Sequence, residues 1–296
     1  MSEEAVATLP ETLPPGRPRH WDIDGLRLEG LEWGQRGQLP VLALHGWLDN
    51  AASFQRLGPR LRCCHVVAPD LSGHGRSSFR SADATYQIWD DMPQLVALLD
   101  ALGWERCVLL GHSRGAVIAA LLAAALPERV SHLVLLDGVI PRPVPETDFV
   151  SQLGDFLRQR STALNRPARR YPRREQAVAV RVRNDLSEAA ARALAERGLE
   201  GSDEAGWAWR IDPRLRAASA VKMSESQVRA MLSSIASPVL LLVASDGIMQ
   251  RHPLEETVRP HLRRLQVIPV DGGHHFHMEA NIDEHITSLL EFLAQA

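Results

Sequence analysis

Ser113 sits in the run Gly111-His112-Ser113-Arg114-Gly115, directly after an apolar, strand-like run at 107–110 and at the head of a helical stretch predicted over 113–126. A G-x-S-x-G turn between strand and helix holds its serine in a strained backbone conformation, with the hydroxyl projecting from the strand end. The glycines are required because a Cβ on either side would collide with the neighbouring strand or helix, and Ala116 keeps that packing close. The helix N-terminus also favours negative charge developing near Ser113. The pentapeptide itself occurs by chance in many chains. Its place between a buried strand and a helix is what gives it weight.

A serine hydroxyl is a weak nucleophile without a base. Gly272-Gly273-His274-His275-Phe276 follows the last apolar run (265–270) and precedes a C-terminal helical stretch (282–293), so it lies at the same sheet edge. His274 is the expected base, with His275 the alternative, and the two glycines free the loop to aim the ring. A segment carrying His274, His275 and His277 also reads as a solvated loop or a metal site. The sequence brings no Asp, Glu or Cys ligand to it, so no metal is expected.

An acid must fix the tautomer of the imidazole and stabilise the imidazolium. Asp137 follows the apolar run 133–136 and Asp246 follows 239–243; chain order Ser…Asp…His suits both. Asp137 is preferred because it ends the strand next after the nucleophile's, with less intervening loop. An oxyanion needs preorganised donors. His45-Gly46-Trp47 follows the run 41–44, and Gly46 lets the backbone turn in so that the Trp47 N–H can pair with that of Arg114. The competing reading has Trp47 simply packing under the residues above it.

These residues need a scaffold that gathers strand ends. Two short alternating runs, 20–23 and 26–33, flank Asp24-Gly25 and predict a β-hairpin. The runs 41–44, 65–68, 107–110, 133–136, 239–243 and 265–270 are apolar throughout, as strands buried on both faces are. Helical stretches at 86–102, 113–126 and 282–293 alternate with them. The expected fold class is α/β: one doubly wound, mostly parallel sheet with its site beyond the carboxyl ends of the strands. Residues 141–235 break the rhythm, with six prolines and no convincing buried strand, and carry 17 basic against 12 acidic residues. An insertion this long is expected to be a helical cap. The organisation is then a flexible Pro-rich start at 1–19, a core at 20–140 and 236–296, and a cap at 141–235.

The chain has 296 residues, 45% apolar and 23% charged, with a net charge of −3, so it can bury a large core and offers no general attraction to nucleic acid. Lys222 is the one lysine among 33 basic residues, a compositional habit rather than a site. The longest apolar run, 116–126, is too short to span a membrane, and the acidic, Pro-rich start lacks a signal-peptide core. Cys63, Cys64 and Cys107 make a poor disulfide framework. These features predict a soluble, cytoplasmic protein; a homodimer is left open.

Taken together, His45 to Asn50, the stretch Asp70-Leu71-Ser72-Gly73-His74-Gly75-Arg76-Ser77-Ser78, the serine turn, and Gly273-His274 with Glu279 five residues on resemble the α/β-hydrolase-fold superfamily over roughly residues 20–295. Trp47 to Phe54 and the stretch from Arg197-Gly198 to Arg210 are similar to serine hydrolase-like proteins. The resemblance implies a helical cap, no cofactor and ester-type substrates. In some capped relatives the acid follows the sixth strand, where Asp137 stands; in many others it follows the seventh, near Asp246. Against that commoner pattern the loop before Asp246 is one residue short, and Gly247-Ile248 follows it. Capped relatives that open epoxides or remove halides carry an Asp at the turn, where this chain has Ser113.

The expectation is a serine hydrolase of small-molecule carboxylic esters or thioesters, with Ser113, His274, Asp137 or Asp246, and the Trp47 and Arg114 amides. The alternatives are a non-catalytic ligand-binding protein of the same fold, or a lyase or perhydrolase using the same triad. Arg114 stands where an apolar residue is common. Its side chain either joins the basic cap in favouring anionic substrates or is salt-bridged outward.

Overall fold

The computed structural model describes residues 13–184 and 186–295. The six apolar runs expected as strands, together with the two hairpin runs, become one eight-stranded sheet: β1 (Arg17–Ile23), β2 (Leu26–Trp33), β3 (Leu39–Leu44), β4 (Cys64–Pro69), β5 (Cys107–His112), β6 (Val130–Leu136), and, after three short strands described below, β10 (Val239–Asp246) and β11 (Leu265–Gly273). Their spatial order is β1-β2-β4-β3-β5-β6-β10-β11. β2 runs antiparallel to β1 and β4; the remaining neighbours are parallel. Successive side chains point to opposite faces, so Leu109, Leu133 and Leu241 enter one core layer while Val108, Val134 and Leu240 enter the other. This is why the strands read as unbroken apolar runs rather than alternating ones.

The hairpin turns on Asp24 and Gly25, both at positive φ (50° and 76°), as a two-residue turn between twisted strands requires. β1 starts at Arg17, so the stretch expected to be flexible through residue 19 gives its last three residues to the sheet. Arg17 and Arg19 both reach Glu32 on β2, which draws them into register. Of the rest of that stretch, residues 13–16 are irregular, with Gly16 buried, and residues 1–12 lie outside the described residues.

Helices α1 (Met92–Leu102) and α2 (Arg114–Ala125) flank the sheet. α1 begins six residues later than the pattern predicts. Asp90 takes the Gln87 N–H and the Thr85 hydroxyl into a local turn, and Pro93 fits only a first helical turn. The insertion between β6 and β10 holds α3 (Phe149–Leu164), α4 (Arg174–Val182), α5 (Glu188–Gly198) and α6 (Glu225–Ser234). It is not wholly helical: β7 (Arg170–Tyr171), β8 (Leu199–Ser202) and β9 (Gly206–Trp209) form a small antiparallel sheet in the order β7-β9-β8. Strands of two to four residues, most of them only partly buried or exposed, carry no apolar run by which sequence could announce them. Val228, Met231 and Leu232 of α6 join the same core layer as α2, so the end of the insertion belongs to the core.

A buried ion pair fastens the insertion to the sheet. Arg197 Nε donates to both oxygens of Asp70 at 2.8 and 2.9 Å, and Asp70 also accepts from the Ala51 and Arg76 amides, each at 2.7 Å. The chain closes with the single turn α7 (Leu254–Thr257) and with α8 (Ile286–Leu293), which a 3-10 segment precedes, so the helix is shorter than the predicted 282–293. Among the described residues no helix is long and apolar enough to cross a membrane.

Candidate active site

Ser113 leaves β5 at φ 52°, ψ −116°, a region in which a residue with a Cβ is strained. Close packing on every side enforces it. A Cβ on Gly111 would lie 2.5 Å from the Gly115 carbonyl oxygen, and one on Gly115 would lie 2.1 Å from that of Leu44 on β3. The Ser113 N–H donates to the Leu136 carbonyl at 3.1 Å, tying the turn to the end of β6. Arg114 is the first residue of α2, so its N–H has no partner within the helix.

The residue after β6 is Asp137, wholly buried and also at positive φ (44°). Its Oδ2 accepts from His274 Nδ1 at 2.6 Å and from the Ile248 N–H at 2.8 Å; Oδ1 takes the Ala244 and Met249 amides at 3.3 and 3.4 Å. Four donors thus aim at two oxygens. Asp246, the other candidate, is exposed at the end of β10, and among the described residues its carboxylate meets only the Ser245 hydroxyl. The physical reason is the turn that follows: Gly247 to Met249 folds over the end of β10 and presents its amides to Asp137 rather than turning Asp246 inward. A Cβ on Gly247 would sit 2.2 Å from Asp137 Oδ2. Gly247→Ala is therefore expected to push the carboxylate off His274 and lower turnover about 10²-fold, as a misplacement of an ångström does, while far-ultraviolet circular dichroism stays unchanged. Activity equal to the parent's would show that the carboxylate has room to move.

His274 follows β11, two strands from β6 in the sheet. His112, the residue before Ser113, donates from Nε2 to the His274 carbonyl at 2.9 Å, so the serine turn and the histidine loop are bonded directly. His275, the alternative base, turns away toward Asp49, with Nε2 3.5 Å from Oδ2. The loop after β3 lies against the same group: a Cβ on Gly46 would meet His112 Nδ1 at 2.9 Å. Trp47 in that loop is half exposed but does meet the insertion, as the competing reading has it: its indole donates to the Leu215 carbonyl at 2.9 Å and the Arg216 guanidinium lies 5.8 Å from its ring centre.

The family model described as "alpha/beta hydrolase fold" matches residues 40–281. The chain belongs to the α/β-hydrolase fold family. Within it, this α/β hydrolase is 30% identical to a serine hydrolase-like protein of Dictyostelium discoideum, over 91% of this chain and 79% of that one. It is also 30% identical to the serine hydrolase-like protein of Danio rerio, over 89% and 83%. Among solved structures, a hypothetical protein from Pseudomonas aeruginosa PAO1 superposes with a TM-score of 0.90 at 35% identity, covering 94% of this chain and 99% of that one.

Several side chains at the site of this α/β hydrolase take partners that the sequence does not announce. Arg114 turns inward: Nη2 donates to the buried Asp91 at 2.9 Å, and Nη1 is buried without a partner. Its charge is neither free for an anionic substrate nor paired at the surface. His45 holds two loops together, donating from Nδ1 to its neighbour's carbonyl at Gly46 (2.8 Å) and accepting the Leu71 N–H at Nε2 (2.9 Å). Glu279 accepts the Ser187 N–H at 3.1 Å, linking the histidine loop to the insertion.

A carboxylate does converge on the histidine-rich loop, contrary to the sequence expectation. Asp49 lies beside His112 and His275, and its distance from either in sequence hid it. Burial works to raise the Asp49 carboxyl, but the neighbouring His275 ring and the Arg181 charge outweigh it and hold the group well below the usual carboxylate range. Burial, followed by the neighbouring His277, His274 and His275 rings, pushes His112 far below an ordinary imidazole. His277 donates or accepts at the Ser53 hydroxyl (2.7 Å) and is kept neutral by burial in the same way.

Proposed function

We propose that this α/β hydrolase is a serine-dependent hydrolase that cleaves small-molecule carboxylic esters or thioesters through an acyl-enzyme. The observation that carries the reading is the 2.6 Å pairing of His274 Nδ1 with buried Asp137, in a loop bonded through His112 to the strained Ser113 turn. With Nδ1–H committed to Asp137, His274 keeps Nε2 as the basic nitrogen. It takes the Ser113 proton as the hydroxyl attacks the acyl carbon. The imidazolium then donates that proton to the leaving alcohol or thiol. Water, deprotonated by the same Nε2, attacks the acyl-enzyme and releases the acid and Ser113. The Trp47 and Arg114 amides are the donors assigned to the oxyanion, since the first stands in a loop packed on His112 and the second is free at the start of α2. The relatives named serine hydrolase-like support the reaction class.

A fluorophosphonate probe, which forms a covalent bond to an activated serine, tests this. It is expected to label the parent protein and fail to label Ser113→Ala, with acyl ester hydrolysis lost in step. An unlabelled, folded parent would instead favour a ligand-binding role. Labelling without hydrolysis of any acyl ester or thioester would point to a lyase or perhydrolase, which product analysis identifies.

A further inference from the structure

We propose that Asp49, His112 and His275 form a binding site for a divalent transition metal of the Zn²⁺ class, and that its occupation silences the neighbouring His274. The second half rests on the hydrolase reading above; the first does not.

The donor set argues for it. His112 spends its Nε2–H on the His274 carbonyl, so its Nδ1 carries a lone pair. That nitrogen is buried, has no hydrogen-bond partner, and faces Asp49 Oδ2 across 3.9 Å. Asp49 Oδ2 is itself buried without a partner, while Oδ1 is taken by Arg181 at 3.4 Å. Two acceptors turned toward each other in a buried place are unfavourable unless something electron-poor lies between them. His275 supplies the third group: its Nε2 is 3.5 Å from Asp49 Oδ2. All three ligand atoms lie within 4.8 Å of one another. Zn–N and Zn–O bonds of about 2 Å place ligand atoms of one tetrahedral face about 3.3 Å apart, so a small contraction closes the site. Bonding of the remote ring nitrogen of His112 to a backbone carbonyl is the support that metal-bound histidines ordinarily have. An open cavity of about 290 Å³, lined in part by Ser187, Gly273, His275 and Phe276, gives a path from solvent to His275.

The effect on catalysis follows from position. The His274 ring centroid is 4.6 Å from that of His112 and 5.0 Å from that of His275. Drawing His112 and His275 onto one ion pulls on the loop that carries His274, because the His274 carbonyl is held by His112 and His275 follows it directly in the chain. Occupation therefore slows the acylation and deacylation steps without touching Ser113.

Equilibrium dialysis of untagged Ser113→Ala protein against Zn²⁺, with metal analysis, tests the site without any activity. One Zn²⁺ per chain is expected, with affinity falling about tenfold or more in Asp49→Asn and in His275→Gln and unchanged in Cys63→Ser. Circular dichroism checks that each variant is folded. Absence of stoichiometric Zn²⁺, or equal retention in both ligand variants, overturns the site and leaves water as the occupant. In the Ser113 protein, Zn²⁺ is expected to lower ester hydrolysis at least about tenfold, reversibly with a chelator. Stoichiometric binding with unchanged hydrolysis would overturn the silencing alone. A protein that binds Zn²⁺ and never hydrolyses an ester would instead count against the hydrolase reading.

Discussion

Asp137→Asn is expected to lower ester turnover about 10⁴-fold, whereas Asp246→Asn leaves it within about twofold. An amide at position 137 offers an N–H₂ to the ring in place of a carboxylate oxygen. His274 would then accept at Nδ1 and carry its proton on Nε2, where it can no longer take one from Ser113. The imidazolium would also lose the negative charge now 2.6 Å away. Asp246 has no comparable hold: it is exposed, and its nearest polar partner is Ser245 at 3.5 Å. Steady-state kinetics on a p-nitrophenyl ester, with fluorophosphonate labelling rates alongside, measures both. Near-parent turnover in Asp137→Asn, or a collapse in Asp246→Asn, would reverse the assignment.

The folded state is expected to lose stability as pH falls below about 6.5, well before carboxylates begin to titrate. His74 is lowered to about 3, first by burial and then by the His45 and Arg114 that face it, against the opposing pull of Asp91 and the Ser72 carbonyl. His45 is lowered by burial and by Arg114, although Asp70, Asp49 and its own bond to Gly46 pull the other way. Because both folded-state values lie below that of the unfolded chain, the unfolded state binds more protons under about pH 6.5. Stability is therefore full above that pH and drains away below it. Each buried histidine contributes up to about 1.4 kcal/mol per pH unit through this window. His112 and His277 shift in the same direction and add to the slope. Asp49 and Asp91, both held below the usual carboxylate range, extend the loss at more acid pH. The thermal midpoint followed from pH 7.5 to 5 reads this; a flat profile down to pH 5 would mean these histidines accept protons in place. His74→Asn should flatten the slope measurably.

The arrangement of strand-end residues explains why so much of the site is legible in one dimension. Ser113, Asp137 and His274 each follow an apolar run, because a parallel sheet delivers chain to the same edge at the end of every strand. Asp137 and Asp246 could not be separated on that ground alone, since both follow core strands. What separates them is a turn: Gly247 has no Cβ, so Ile248 and Met249 can fold back and direct their amides at Asp137. Arg114 shows the opposite case. That its N–H is left without a helical partner is readable from its place at a helix start, whereas the destination of its side chain depends on Asp91, 23 residues away.

Local chemistry and hydrophobic pattern thus determine the sheet, the strained serine and the histidine loop, because each depends on a few consecutive residues and on burial that marks both faces of a strand. Tertiary structure alone decides which carboxylate meets His274, the inward turn of Arg114, the small sheet in the insertion and the meeting of Asp49 with His112 and His275. Those outcomes depend on partners from distant parts of the chain. A side chain's partner across a fold is chosen by packing and desolvation at close range, and spacing along the sequence carries no record of that distance.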